Sequence, residues 1–290
     1  MVFKLDPSGN ETVLYNFTGG ADGGGPSAGV VRDTDGNLYG TTAYGGDLSA
    51  CGGHACGVVF KLDPTGHETV LYSFTGGDGQ TPLADLVRDK NGNLYGTTRD
   101  GGAFGYGVVF KVDPTGNETV LYSFTGGADG AHPWAGVVRD ENGNLYGTAG
   151  GGGAFGHGVV FEVDPTGKET VLYSFTGGTD GGFPYGGLVR DKQGNLYGTT
   201  AYGGDQMDPC DGLCGVVFKL DPTGKETVLY SFHGGADGAD PMAGLFRDKN
   251  GNLYGTASSG GDFSGYCGIF GSCGVVFKIT ACHTALCQGQ

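Results

Sequence analysis

The feature that constrains this chain most is its internal repetition. A segment close to Val-Phe-Lys-Leu-Asp-Pro returns with its phenylalanine at Phe3, Phe60, Phe110, Phe161, Phe218 and Phe277, at intervals of 57, 50, 51, 57 and 59 residues. Between these anchors three further runs occur five times each. They are Thr-Val-Leu-Tyr-Ser-Phe (as at Thr69 to Phe74), Gly-Leu-Val-Arg-Asp (as at Gly187 to Asp191) and Gly-Asn-Leu-Tyr-Gly-Thr (as at Gly92 to Thr97). Each run is short, rich in β-branched and aromatic residues, and bounded by Gly, Pro, Asp or Asn, which is the pattern of a strand. No window carries helical periodicity. Four strands in about fifty residues is the size of one propeller blade, whereas a β-solenoid uses shorter coils.

The turns set the strand order. Arg32-Asp33-Thr34-Asp35-Gly36-Asn37 predicts a hairpin with Gly36 left-handed, and Asp63-Pro64-Thr65-Gly66 predicts a second. Each repeat then reads A (Gly-Val-Val-Arg), B (Asn-Leu-Tyr-Gly-Thr), C (Val-Val-Phe-Lys-Leu) and D (Thr-Val-Leu-Tyr-Ser-Phe). The expectation is an all-β fold: a β-propeller of about five four-stranded blades, closed by pairing of N- and C-terminal strands. Thr12 to Phe17 would supply the D strand for the blade begun at Ala243. This makes residues 1–280 a single domain, with repeat boundaries near 27, 83, 134, 185 and 242, and leaves 281–290 as a cysteine-containing tail. One C strand, Val2 to Leu5 or Val275 to Ile279, is then surplus, which predicts a longer parent protein. Met1-Val2-Phe3-Lys4 already belongs to the repeat, so an export signal is expected upstream of it.

Composition excludes some classes. Glycine fills 64 of 290 positions, without the strict period of collagen, so it serves turns. The formal net charge of −15 argues against nucleic acid and anionic membranes as partners, both of which need a basic footprint. No apolar stretch is long enough for membrane insertion by a helix.

A–B and C–D hairpins share one face and are monotonous. B–C and D–A connections share the other and vary in length and chemistry, so function is expected there. The eight cysteines lie almost wholly on the variable face or in the tail, as local pairs: Cys51 with Cys56, Cys210 with Cys214, Cys267 with Cys273, and Cys282 with Cys287. Disulfides within each loop are the expected framework, implying an oxidising compartment. Zinc is the rival reading, but no loop offers a consistent third and fourth ligand. Glycosylation sequons begin at Asn10, Asn16 and Asn117.

The D–A loops carry Asp22, Asp78, Asp129, Asp180 and Asp237, which either hold calcium or sugar hydroxyls or close Asx-turns on their own backbone. After each loop proline stands a residue that changes between copies: Ser27, Leu83, Trp134, Tyr185 and Met242. A variable pair follows each B strand: Ala43-Tyr44, Arg99-Asp100, Gly150-Gly151, Ala201-Tyr202 and Ser258-Ser259. Trp134, Tyr185, Tyr44 and Tyr202 either stack on a ligand or pack between blades. The arginines ending the A strands (Arg32, Arg88, Arg139, Arg190 and Arg247) are expected to pair with carboxylates between blades rather than ring an anion. No catalytic motif is present, and the six histidines occupy mostly unrelated repeat positions.

The runs Gly-Val-Val-Phe-Lys-Leu-Asp-Pro-Thr-Gly, Glu-Thr-Val-Leu-Tyr-Ser-Phe-Thr-Gly-Gly and Asn-Leu-Tyr-Gly-Thr-Thr resemble the GloVer tandem repeat of "choice-of-anchor" bacterial proteins, from Val2 to Ile279. The resemblance implies export and surface attachment through a separate C-terminal sorting signal, and it assigns no activity. The expected function is therefore an extracellular or cell-surface binding scaffold for a glycan or another surface protein, with no cofactor required and Ca2+ as an option. Five like blades would offer up to five weak sites. The alternative is a polysaccharide-acting hydrolase or lyase at the channel mouth, needing two carboxylates in contrasting environments.

Overall fold

The computed structural model describes residues 1–53, 56–205, 214–261 and 273–281. The first two strands, β1 (Val2–Leu5) and β2 (Glu11–Tyr15), form a two-stranded antiparallel sheet. Four antiparallel four-stranded sheets follow. The first holds β3 (Val31–Arg32), β4 (Leu38–Thr42), β5 (Val58–Leu62) and β6 (Glu68–Ser73). The second holds β7 (Val87–Arg88), β8 (Leu94–Thr98), β9 (Val108–Val112) and β10 (Glu118–Ser123). The third holds β11 (Val138–Arg139), β12 (Leu145–Ala149), β13 (Val159–Val163) and β14 (Glu169–Ser174). The fourth holds β15 (Val189–Arg190), β16 (Leu196–Thr200), β17 (Val216–Leu220) and β18 (Glu226–Ser231). A three-stranded sheet of β19 (Phe246–Arg247), β20 (Leu253–Ala257) and β21 (Val275–Ile279) ends the series.

The hairpins behave as their turn chemistry dictates. Gly36 has φ +89°, a region where a side chain costs energy, and Asp33 Oδ1 accepts the Asp35 and Asn37 amides. The A strands reduce to two residues. Ahead of them the backbone leaves its own ladder, and the preceding sheet satisfies one carbonyl at each of four seams. Thr41 Oγ1 donates to Ala84 O (3.1 Å), Thr97 to Ala135 O (2.8 Å), Thr148 to Gly186 O (3.0 Å) and Thr199 to Ala243 O (3.0 Å).

Period-2 alternation explains how sheets pack on one another. In β5, Val58, Phe60 and Leu62 face the preceding sheet, while Val59 faces the next. At every seam a phenylalanine just after one D strand meets the C-strand phenylalanine of the next unit edge to face. The pairs are Phe17–Phe60, Phe74–Phe110, Phe124–Phe161, Phe175–Phe218 and Phe232–Phe277, with centroids 4.9–5.1 Å apart.

The A-strand arginines stack on tyrosines of the preceding sheet: Arg88 on Tyr39, Arg139 on Tyr95, Arg190 on Tyr146 and Arg247 on Tyr197, at 5.3–5.6 Å. Carboxylate pairing was the expectation. The acids that follow the arginines are occupied instead in their own hairpins, as Asp89 is with Asn91, Asn93 and Tyr95. Arg190 alone of the four stands near such an acid, 4.0 Å from Asp140.

The expected pairing of N- and C-terminal strands is absent from the described residues. The short Asp6–Gly9 turn holds β2 against β1 in the register used inside the complete sheets (Leu5 with Glu11, Phe3 with Val13), so β2 is not free to complete the last sheet. Val276 on β21 is correspondingly 82% exposed, whereas its counterparts Val59, Val109, Val160 and Val217 are fully buried. Cys51 and Cys56 form a disulfide, and Cys214 and Cys273 are also disulfide-bonded. Cys210, Cys267, Cys282 and Cys287, and the tail from 282 onward, lie outside the described residues.

Candidate functional site

The D–A loops of five successive repeats bring their post-proline segments to one cavity. Each loop begins with an aspartate that stays within its own turn. Asp22 accepts hydrogen bonds from Tyr15 OH and from the Thr18 amide and hydroxyl. Asp78, Asp129 and Asp180 do the same with Tyr72 and Thr75, Tyr122 and Thr125, and Tyr173 and Thr176; Asp237 does so with Tyr230 and His233. Burial alone would raise the Asp22 and Asp129 carboxyls, but these donors hold both below the usual range. The five aspartates therefore face their own loops rather than one another. Among the described residues no group of three or more His, Cys, Asp or Glu side chains converges as for a metal.

Past the aspartate, the residue before each proline is left-handed: Gly25 (φ 63°), Thr81 (59°), His132 (53°), Phe183 (55°) and Asp240 (53°). This region costs a non-glycine residue roughly 1–3 kcal/mol. Main-chain bonds enforce it. The His132 amide donates to Tyr106 O and its carbonyl accepts from the Gly150 amide; Phe183 is held likewise by His157 O and the Ala201 amide. Four of the five copies keep a side chain where glycine would be relaxed.

The segments after the prolines converge. Ser27–Gly29, Leu83–Asp85, Trp134–Gly136, Tyr185–Gly187 and Met242–Gly244 together line one cavity of about 410 Å³. Trp134, 37% exposed, meets Tyr185 edge to face at 5.4 Å. Tyr185 lies 6.3 Å from Phe183, which in turn meets Tyr202 and His157 at 5.4 Å each. On the other side, Arg99 stacks on Trp134 at 4.9 Å and pairs with Asp100 at 2.7 Å. Asp100 Oδ1 and Arg99 O each lie 3.1 Å from His132 Nδ1, and Tyr106 packs on the His132 ring at 5.5 Å. Two acceptors at Nδ1 place the neutral ring's proton there and leave Nε2 as the acceptor. Burial, then the neighbouring Tyr202, pushes the Tyr185 hydroxyl up.

The geometry thus brings three of the four expected aromatics into one arc: Trp134, Tyr185 and, through Phe183, Tyr202. Tyr44 stands apart, over Gly25, with its ring 2.9 Å from where a Cβ would be.

Comparison with known proteins adds a family to this geometry. The Gloeobacter/Verrucomicrobia repeat matches residues 1–128 and 48–270. The chain belongs to that repeat family. No curated protein matches this Gloeobacter/Verrucomicrobia repeat chain. Among solved structures it is similar to a gluconolactonase from Xanthomonas campestris at 15% identity and a TM-score of 0.51, covering 82% of this chain and 72% of that one. It is also similar to a protein of unknown function from Dyadobacter fermentans at 14% identity and a TM-score of 0.51, covering 85% and 74% of the two chains. Both likenesses are of fold: repeated four-stranded antiparallel sheets in a β-propeller-like arrangement.

Three contributors to the repeat chain's site escaped sequence reasoning. His132 and Phe183 carried a visible signal, since the pre-proline position changes in all five copies (Gly25, Thr81, His132, Phe183, Asp240). Asp85 carried another, because its counterparts Gly29, Gly136, Gly187 and Gly244 are all glycine. No helix among the described residues is long and apolar enough to cross a membrane.

Proposed function

We propose that this chain is an extracellular carbohydrate-binding module whose site is the aromatic arc at the mouth of the central cavity. The same proposal takes the five converging inner segments as five blades about one axis. The observation that carries it is Trp134 packed on Tyr185 at the rim of a cavity of about 410 Å³, within the 300–1,000 Å³ typical of small-ligand pockets. Aromatic rings supply a flat apolar surface for a sugar ring, and the neighbouring Arg99, Asp100 and His132 supply donors and acceptors for hydroxyls. The Cys51–Cys56 disulfide supports an oxidising location. Because the arc occupies consecutive repeats and not all five, it supports one asymmetric site per chain.

Trp134 is the only tryptophan, so its fluorescence reports the site directly. A panel of neutral oligosaccharides should give a saturable change at one ligand per chain, and Tyr185→Ala should weaken it about tenfold. A flat response across the panel, together with an empty glycan array, refutes the proposal.

The Asp100–His132 pair favours a second reading, a hydrolase or lyase with Nε2 of His132 as general base. Release of reducing ends or of unsaturated sugar from a polysaccharide panel, lost in His132→Gln, would support it. Turnover that persists in His132→Gln would remove it.

A further inference from the structure

One set of equivalent positions along the cavity has an anomaly. Its five positions are Gly29, Asp85, Gly136, Gly187 and Gly244, and all five line the cavity. At two of the glycines space is tight: a Cβ on Gly136 would stand 2.4 Å from the Asp85 carbonyl oxygen, and one on Gly244 would stand 3.2 Å from the Gly187 carbonyl. A side chain in this set is an exception, and the one present is a carboxylate. Asp85 is exposed to the cavity, and its Oδ1 accepts the Gly29 amide at 2.5 Å. Its Oδ2 accepts no hydrogen bond among the described residues. No other residue lining the cavity carries a charge.

We infer that the central cavity takes a protonated primary amine, held by Asp85 and by the Trp134 and Tyr185 rings that line the same cavity. An amino-sugar residue is the ligand class that joins this demand to the sugar-binding surface above it, so the inference rests on the proposed carbohydrate site. Aromatic faces attract ammonium groups, and Trp134 already holds one cation, the Arg99 guanidinium, on its ring. That guanidinium is neutralised by Asp100 and does not oppose a second cation in the cavity. The whole chain, at a formal net charge of −15, draws cations toward its openings.

The decisive comparison uses two probes of equal length and linkage, a glucosamine trisaccharide and its N-acetylated counterpart, titrated against the full chain by Trp134 fluorescence and calorimetry at about pH 6. The amine form should bind at least tenfold tighter, and the gap should narrow as salt rises. Asp85→Gly restores the residue of the four sibling repeats, so the fold is expected to accept it; Asp85→Asn keeps the shape without the charge. Both should lower affinity for the amine about tenfold and leave the N-acetylated probe unchanged. Equal binding of the two probes by the wild type, or a loss in Asp85→Gly common to both, overturns the amine site while leaving the carbohydrate proposal standing. Binding of neither probe defeats the amine site, and the neutral oligosaccharide panel then decides the carbohydrate proposal.

Discussion

The seams between sheets contain a repeated pair of carboxyl groups that should make stability fall as pH rises. Glu118, Glu169 and Glu226 open the D strands of successive sheets, and each has a buried Oε1 without a partner. Burial, then the charge of Asp78, Asp129 or Asp180, lifts each from an ordinary 4.5 to about 7. The folded chain therefore keeps three protons that the unfolded chain gives up between about pH 4.5 and 7. Stability must decline across that window and level off above it. The full displacement would correspond to about 3 kcal/mol per site. The side chains are only half-buried, so solvent screening reduces this to about 1 kcal/mol each, or about 3 kcal/mol for the three.

Replacing all three by glutamine removes the ionisation and keeps the shape. At roughly 2 °C per kcal/mol for a chain of this size, the triple variant should melt about 6 °C above wild type at pH 8 and level with it at about pH 5. Differential scanning fluorimetry in buffers of matched ionic strength is sufficient. Asp33, held down to about 2 by hydrogen bonds from Asn37 and Tyr39 that outweigh its burial, keeps its charge throughout this window and does not interfere. Parallel melting curves for the two proteins from about pH 5 to 8 would show that these carboxyls do not hold their protons, and the reasoning would fail.

Other seams can be tested singly. Thr97→Val removes the bond to Ala135 O and leaves that carbonyl unmet at a seam, which should cost about 1–3 kcal/mol by chemical denaturation. Phe110→Ala deletes a fully buried ring packed on Phe74 and should cost about 3–5 kcal/mol, with soluble yield as a second readout. Cys51→Ser together with Cys56→Ser opens a short loop; about 2 kcal/mol should be lost, and reductant should lower the wild-type melting temperature more than the variant's, which keeps the disulfides at Cys214 and Cys273.

The strands were legible because each run alternates inward and outward residues and ends in a turn residue with a defined φ. That Phe60 and Val59 lie on opposite faces follows from period 2 alone. The seams were less so. Whether Arg88 meets a carboxylate or Tyr39 depends on where Asp89 spends its oxygens, and that is decided three-dimensionally inside a hairpin. Closure was misjudged for a related reason: Val2–Leu5 and Val276–Ile279 are near copies, and the local turn to β2 favours the nearer one. At the site, Trp134 and Tyr185 stood out by residue type. Their contact with each other, and with His132 through Arg99 and Asp100, required knowing that a proline and a left-handed residue turn each segment toward one cavity.

Those five left-handed positions have a consequence for how such a chain changes. Glycine, threonine, histidine, phenylalanine and aspartate there share a φ of 53–63° and a carbonyl that accepts an amide from the loop after the B strand, so neighbouring loops help hold the shape. The frame thus tolerates diverse chemistry at fixed points in space. Randomising Thr81, His132, Phe183 and Asp240 should yield altered recognition in molecules whose sheets never register the substitution.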